Sequence, residues 1–263
     1  MRMRVGDAEL RFEDEGRGDA LLFLHAFPLG LSMWDAQAAA LRPSLRVVRF
    51  DGRGFGGSPA GDGPLTMDRI ADDAAALMDH LSLERVVLCG CSMGGYAALA
   101  FARRHPRRLR GLVLQDTRAA ADTDEARTNR RLLAERVLRE GAEAAAAAFV
   151  PKLLGATTQR ENPRLVSEVR ETILANPPRG IADALFGLGL RPDSTPGLGD
   201  IRVPTLVLCG EEDVLTPPAD SKALHAAIAG SRIDIVPRAG HLANMEAPEA
   251  VSTALAAFAA EVG

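Results

Sequence analysis

The stretch Gly90-Cys91-Ser92-Met93-Gly94-Gly95 restricts what this chain can fold into more than any other. It follows the apolar run Arg85-Val86-Val87-Leu88-Cys89 and precedes the alanine-rich stretch from Tyr96 to His105. A small-x-Ser-x-small turn therefore joins a buried strand to a helix. A serine lifted clear of a sheet on so tight a turn needs neighbours without bulk, because larger residues at Gly90 and Gly94 would meet the adjoining backbone. The bare string is weak, since loops alone produce it; the strand before it and the helix after it give it weight. A solvated serine on an ordinary strand–helix turn is the plain alternative, and partner residues separate the two.

A serine hydroxyl is a poor nucleophile at neutral pH. It needs a histidine to take its proton and a carboxylate to fix that histidine's tautomer. With a strand–turn–helix serine, the partners are expected downstream in the order acid then histidine, each on a loop at the carboxyl end of a strand. The run Val203 to Cys209 reads as a buried parallel strand, and Gly210-Glu211-Glu212-Asp213-Val214-Leu215-Thr216-Pro217-Pro218 leaves its end as a loop. Asp213 is the candidate acid, with Glu211 and Glu212 as neighbours that could serve instead. Asp116, at the end of the strand Gly111 to Gln115, competes from one strand earlier. Arg232 to Val236 forms a further short strand, and Pro237-Arg238-Ala239-Gly240-His241 follows it, which makes His241 the candidate base. His80 and His105 lie near expected helix ends, and His225 lies inside the expected helix Ala219 to Ala229.

These residues together resemble the α/β-hydrolase fold family, in its serine-hydrolase branch with a helical cap, over nearly the whole length. Two further segments carry the resemblance. Leu21 to Pro28, ending His25-Ala26-Phe27-Pro28, is similar to the family's H-G-F-P turn, and Asp51 to Ser58 is similar to its D-x-R-G-x-G-x-S loop. The resemblance implies backbone N–H donors of an oxyanion hole at Met93 and Phe27, and a structural histidine at His25. It also implies loop-bracing roles for Asp51 and Arg53. Ala26 departs from the family's usual glycine; alanine is costly there if φ is positive and cheap if it is negative. The implied activity is hydrolysis of a carboxylic ester or lactone through an acyl-enzyme, with a general layout similar to lactonases of aromatic catabolism. Cofactor-free perhydrolases and haloperoxidase-like enzymes, carbon–carbon hydrolases or lyases, and ligand receptors share the family's layout and stay open on sequence.

At 263 residues, 47% hydrophobic and 25% charged, the chain can bury one sizeable α/β core. Its net charge of −4 gives no reason to expect nucleic acid or an anionic membrane as partner. No apolar stretch approaches the length needed to cross a bilayer, and Met1 to Asp7 has no apolar region behind its arginines, so no secretory signal is expected. Cys89, Cys91 and Cys209 are expected to be free thiols in a cytoplasmic setting. No cysteine–histidine cluster has metal-ligand spacing; no metal and no cofactor are expected, and the partner is a small ester or lactone. Oligomeric state is not legible.

Two short strands near Met3 to Val5 and Glu9 to Glu15 are expected to form an antiparallel edge. Strands near Leu21 to His25, Leu45 to Asp51, Arg85 to Gly90 and Leu109 to Gln115 then alternate with helices near Ser32 to Leu41, Met67 to His80 and Met93 to His105. With the two late strands this is an α/β fold: a mainly parallel eight-stranded sheet covered by helices on both faces. Alternation fails between about Arg118 and Gly199. There Leu165, Val166, Val169, Ile173 and Leu174, and then Ile181, Leu185 and Leu188, recur at helical spacing among prolines. An inserted all-helical cap over 119–198 is expected, with 1–118 and 199–263 as the core. Its arginines, Arg118, Arg127, Arg130 and Arg131, are either solvated helix residues or, for one of them, a grip on a substrate carboxylate.

Overall fold

The computed structural model describes residues 1–262. Eight strands form one sheet: β1 (Arg2–Val5), β2 (Ala8–Glu15), β3 (Ala20–Leu24), β4 (Arg46–Phe50), β5 (Val86–Cys91), β6 (Leu109–Gln115), β7 (Thr205–Gly210) and β8 (Arg232–Val236). Their spatial order is β1-β2-β4-β3-β5-β6-β7-β8. Pairing is antiparallel from β1 to β2 and from β2 to β4, and parallel across the rest. The expected antiparallel edge and parallel interior are both present. The reason lies in composition: β3, β5 and β7 are buried at every position, as strands covered on both faces must be, whereas β2 alternates.

Helix α1 (Asp35–Leu41) packs with α11 (Pro248–Glu261), and α2 (Met67–His80) with α3 (Met93–Arg104). The sheet is thereby flanked by helices. A 3₁₀ turn over Leu31–Trp34 opens α1, so the expected helix from Ser32 is split in two. Thr66 caps α2 by accepting the Arg69 N–H at 3.2 Å.

Between β6 and β7 the chain makes an excursion of five helices: α4 (Asp124–Glu140), α5 (Glu143–Leu153), α6 (Ala156–Glu161), α7 (Pro163–Leu174) and α8 (Pro178–Gly189). Helix α4 lies against α8, and α5 against α7. The apolar residues that carried the helical periodicity, Leu165, Val169 and Ile173 on α7 and Ile181, Leu185 and Leu188 on α8, are all buried. Thr123 and Asn162 cap α4 and α7 with their side-chain oxygens. The excursion meets the rest of the molecule at glycines. A Cβ on Gly180 would overlap Gly54, one on Gly187 would overlap the Leu65 carbonyl, and one on Gly240 would overlap the Gly155 amide. Helix α9 (Pro218–Ala227) and the short α10 (Ala243–Glu246) complete the fold. Among the described residues no helix is long and apolar enough to cross a membrane.

Candidate active site

Ser92 sits between β5 and α3 with φ 53° and ψ −111°. A non-glycine residue in such a conformation costs on the order of 1–3 kcal/mol and persists only where its surroundings enforce it. The enforcement is visible. The Ser92 N–H donates to the Gln115 carbonyl at 2.9 Å, and its own carbonyl accepts the Tyr96 N–H at 3.0 Å and the Thr117 hydroxyl at 2.9 Å. A Cβ on Gly90 would overlap the Gly94 carbonyl, and one on Gly94 would overlap the Leu24 carbonyl at the end of β3. The steric reason for small residues around the serine, expected from sequence, is therefore met atom by atom.

The loops at the carboxyl ends of β7 and β8 bring Asp213 and His241 to this turn. His241 Nε2 lies 2.8 Å from Ser92 Oγ, and His241 Nδ1 lies 2.8 Å from Asp213 Oδ2. A carboxylate only accepts, so the Nδ1 proton points at Asp213 and leaves Nε2 free to accept from the serine. The Asp213 carboxylate is itself held. Its Oδ1 accepts the N–H groups of Leu215 and Thr216 at 2.8 and 3.0 Å, and its Oδ2 accepts the Thr216 hydroxyl at 2.7 Å. Burial works to raise this carboxyl, but the neighbouring His241 and the hydroxyl and amide of Thr216 outweigh burial, and the net direction is downward. Thr216 was not singled out from sequence. A hydroxyl three residues after an aspartate, in a loop that must turn, was its available signal.

Asp116 reaches no nitrogen of His241 among the described residues. Its Oδ1 accepts the Gly210 N–H at 2.8 Å, and its Oδ2 faces Gln115 Nε2 at 3.1 Å and the Ala243 N–H at 3.4 Å. It is fully buried, and burial followed by repulsion from Asp213 pushes its carboxyl well above the usual range. Glu211 accepts the Arg238 N–H, and Glu212 accepts from Thr157, so both point away from the histidine. Of the four candidate acids, Asp213 alone faces the base.

Asp116, Asp213 and Cys209 bring one ligand-type atom each within 4.8 Å of one another. Their chemistry does not suit a cation. The carboxylates are committed to the amides and hydroxyl named above, and burial pushes the Cys209 thiol up to about 12. Cys89 and Cys91 are likewise buried, with their thiols pushed up by burial.

Among the described residues, the amides of Phe27, in the turn after β3, and of Met93, the first residue of α3, have no backbone acceptor in the surrounding turns. His25 braces the turn after β3. Its Nε2 accepts the Gly52 N–H at 2.9 Å and its Nδ1 donates to the Ala26 carbonyl at 2.9 Å, while burial lowers its tendency to protonate. Ala26 is buried and is not among the residues with positive φ, so alanine in place of the family's glycine carries no backbone strain. Asp51 is also buried: it accepts the Leu31 and Gly57 N–H groups at 2.7 and 2.9 Å and ties two loops together. Arg53 grips Asp73 through two bonds of 2.7 Å. Neither is a surface salt bridge.

Ser92 and His241 open into a cavity of about 210 Å³ whose walls include Phe27, Phe149 and Leu188. Arg118, Asp122 and Arg130 also line it. Arg130 Nε donates to Asp122 Oδ2 at 2.5 Å, and Arg191 Nη1 donates to Asp122 Oδ1 at 2.6 Å while its guanidinium stacks 4.2 Å over the Tyr96 ring. Arg118 donates to the Leu215 carbonyl and approaches Asp220 to 3.3 Å without hydrogen-bond alignment. Arg127 and Arg131 pair with Asp124 and Glu135 on the exposed side of α4. The four arginines thus divide, two facing the cavity and two facing solvent. A larger groove, of about 400 Å³, lies at the far end of α3 around Ala102, Pro106 and Leu198 and carries none of the candidate residues.

The family model of the alpha/beta hydrolase fold matches residues 19–248. The chain belongs to the α/β-hydrolase fold family. Among the relatives of this hydrolase, 3-oxoadipate enol-lactonase 2 of Acinetobacter baylyi is 30% identical over 255 residues, covering 95% of this chain and 93% of that enzyme. A thermophilic esterase from Thermogutta terrifontis, solved with malate bound, is 43% identical with a TM-score of 0.97 over 100% of this chain and 99% of that one. The enol-lactonase of Burkholderia xenovorans LB400 is 31% identical with a TM-score of 0.91, covering 98% and 99%. Kinship with esterases and enol-lactonases identifies a hydrolase of the α/β fold and points to ester or lactone bonds.

Proposed function

We propose that this hydrolase cleaves carboxylic esters or lactones with Ser92 as nucleophile, His241 as general base and acid, and Asp213 as the carboxylate that orients and charges the base. The observation that carries the reading is the unbroken chain from Ser92 Oγ to His241 Nε2 and from His241 Nδ1 to Asp213 Oδ2, 2.8 Å at each link. Ser92 Oγ attacks the substrate carbonyl as its proton passes to His241 Nε2. The tetrahedral oxyanion accepts hydrogen bonds from the Phe27 and Met93 amides. Preorganised donors of this kind contribute about 3 kcal/mol each to the transition state. The imidazolium then protonates the leaving alkoxide, the C–O bond to the alcohol breaks, and an acyl-Ser92 ester remains. Water gives a proton to His241 and attacks that ester; the proton returns to Ser92 Oγ as the acid departs.

In this reading the inserted segment 119–198 is a cap that walls the cavity and sets substrate choice. A finer reading follows from charge: two guanidiniums and one carboxylate line the Ser92 cavity, which leaves one positive charge in excess. An ester or lactone bearing its own carboxylate balances that excess, in keeping with the enol-lactonase and the malate-bound esterase among the relatives. Three buried free thiols suit a reducing, cytoplasmic setting.

The test is a chromogenic ester panel on wild type and Ser92→Ala, beside mass spectrometry after treatment with a fluorophosphonate. Turnover should fall by about 10⁴-fold or more in the variant, and the adduct should map to Ser92. Unchanged turnover without a Ser92 adduct would sink the assignment.

A further inference from the structure

The turn that leads from α5 into α6 touches both loops that carry the candidate acid and base. The Gly155 N–H donates to Glu246 Oε2 at 2.8 Å. The other oxygen of the same carboxylate, Oε1, accepts the N–H of Gly240 at 2.9 Å and of Leu242 at 3.2 Å, the two amides that flank His241. Two residues further on, Thr157 donates its N–H to Glu212 Oε2 at 2.8 Å and its hydroxyl to Glu212 Oε1 at 2.5 Å. Glu212 directly precedes Asp213, and its N–H donates to the Ala239 carbonyl at 2.7 Å. No slack separates these parts: a Cβ on Gly155 would lie 2.6 Å from Glu212 Oε2 and 2.9 Å from the Gly240 amide. Helix α5 ends at this turn and carries Phe149, which walls the Ser92 cavity and meets Phe27 edge-on at 5.1 Å between ring centres.

Resting on the serine-hydrolase reading above, we propose that Glu246 is a positioning residue that fastens the His241 loop to the Gly155–Thr157 turn, so that the inserted helices align the base as well as wall the pocket. Loops are the mobile parts of a fold, yet His241 must hold Nε2 on Ser92 within a few tenths of an ångström. One carboxylate oxygen holding the amide on either side of His241 fixes its backbone, and the second oxygen extends that hold to α5. The chemistry requires glutamate. Three N–H donors converge on an acceptor-only group, and the NH₂ of a glutamine would face at least one of them.

The experiment compares wild type with Glu246→Gln, Glu246→Ala and Gly155→Ala, using 4-nitrophenyl butyrate. Phe258→Ala, which hollows the core beside Gly111 on β6, serves as a control that destabilises without touching the loops. The first three variants should lose about 10- to 100-fold in kcat, as displacements near 1 Å do, with KM within about twofold of wild type. Labelling of Ser92 by the fluorophosphonate should slow in step, and the low-field proton resonance of His241 Nδ1 should broaden or shift. Phe258→Ala should lower Tm and keep both kcat and that resonance. Wild-type kcat in both Glu246 variants, or a loss that merely follows Tm as in the control, overturns the proposal. Should wild type neither cleave the ester nor label at Ser92, the serine-hydrolase reading fails by itself. The His241 resonance then decides the positioning role: an unchanged signal in Glu246→Gln sinks it.

Discussion

The turn around Ser92 and the excursion between β6 and β7 face each other across one cavity and are built on opposite terms. At the turn, backbone meets backbone, and a single added carbon at Gly90 or Gly94 has nowhere to go. Across the cavity, much of α4 is exposed, and Arg127, Arg130, Arg131 and Arg136 are matched to acids within reach along or beside the helix. One side holds a strained residue in a fixed posture; on the other, the exposed pairs along α4 can be rearranged at small cost, while Asp122 holds Arg130 and Arg191 from within. In the proposed function, reaction chemistry belongs to the rigid side and selection among substrates to the adjustable one.

The contrast should break most visibly at the acid. Asp213→Asn should cost about 10⁴-fold in kcat, as loss of the carboxylate behind a catalytic histidine does, measured on a neutral chromogenic ester. Asp116→Asn should cost far less; the reverse order would move the acid to β6. Next comes rigidity itself. Gly94→Ala should lose more than about 3 kcal/mol of unfolding free energy in denaturant titration, since its new carbon meets the β3 backbone. On the adjustable side, Arg130→Gln should reduce the preference for a carboxylated over a neutral ester by about tenfold, the worth of one hydrogen bond to a charged group.

Acid stability should be altered more gently. Burial raises the Asp122 carboxyl, but Arg130 and Arg191 more than compensate, and its folded value lies below the ordinary one. Its contribution is therefore in place above the unfolded value of about 4 and is lost as pH falls through the lower folded value. Asp122→Asn should lower Tm near neutrality and flatten its decline below pH 4, read by thermal melts at stepped pH. The smallest effect has the opposite sign to Gly94→Ala. Gly189 closes α8 with open space around it, so Gly189→Ala should add about 0.5–1 kcal/mol.

What the sequence disclosed was whatever short-range pattern can encode. The serine turn was legible because strand, glycines and helix are contiguous, and the eight strands because buried runs alternate with amphipathic ones. His241 was singled out because it follows a strand, and His25 because it sits in a recognisable turn. Choosing between Asp213 and Asp116 was harder, since both end a buried strand and the outcome depends on which loop turns toward β8. Arg191 and Tyr96 left no pattern, and Thr216 left only a hydroxyl three residues after an aspartate in a loop that must turn. Arg191 acts on Asp122 from 69 positions away, a pairing that only the packing of α4 on α8 creates. Ala26 was ambiguous until its backbone angle excluded the strained case.

The glycine seats at 155, 180 and 187 make the excursion between β6 and β7 a bolted fixture and not a door. A door would swing on the two connections near residues 118 and 199, but the bolts sit well along the chain from both. In the proposed function a substrate is then admitted by turning rings and guanidiniums around the cavity, since α4 lies against the fastened α8. Whoever wishes to retune this hydrolase can exchange the side chains around the cavity and leave the bolts alone.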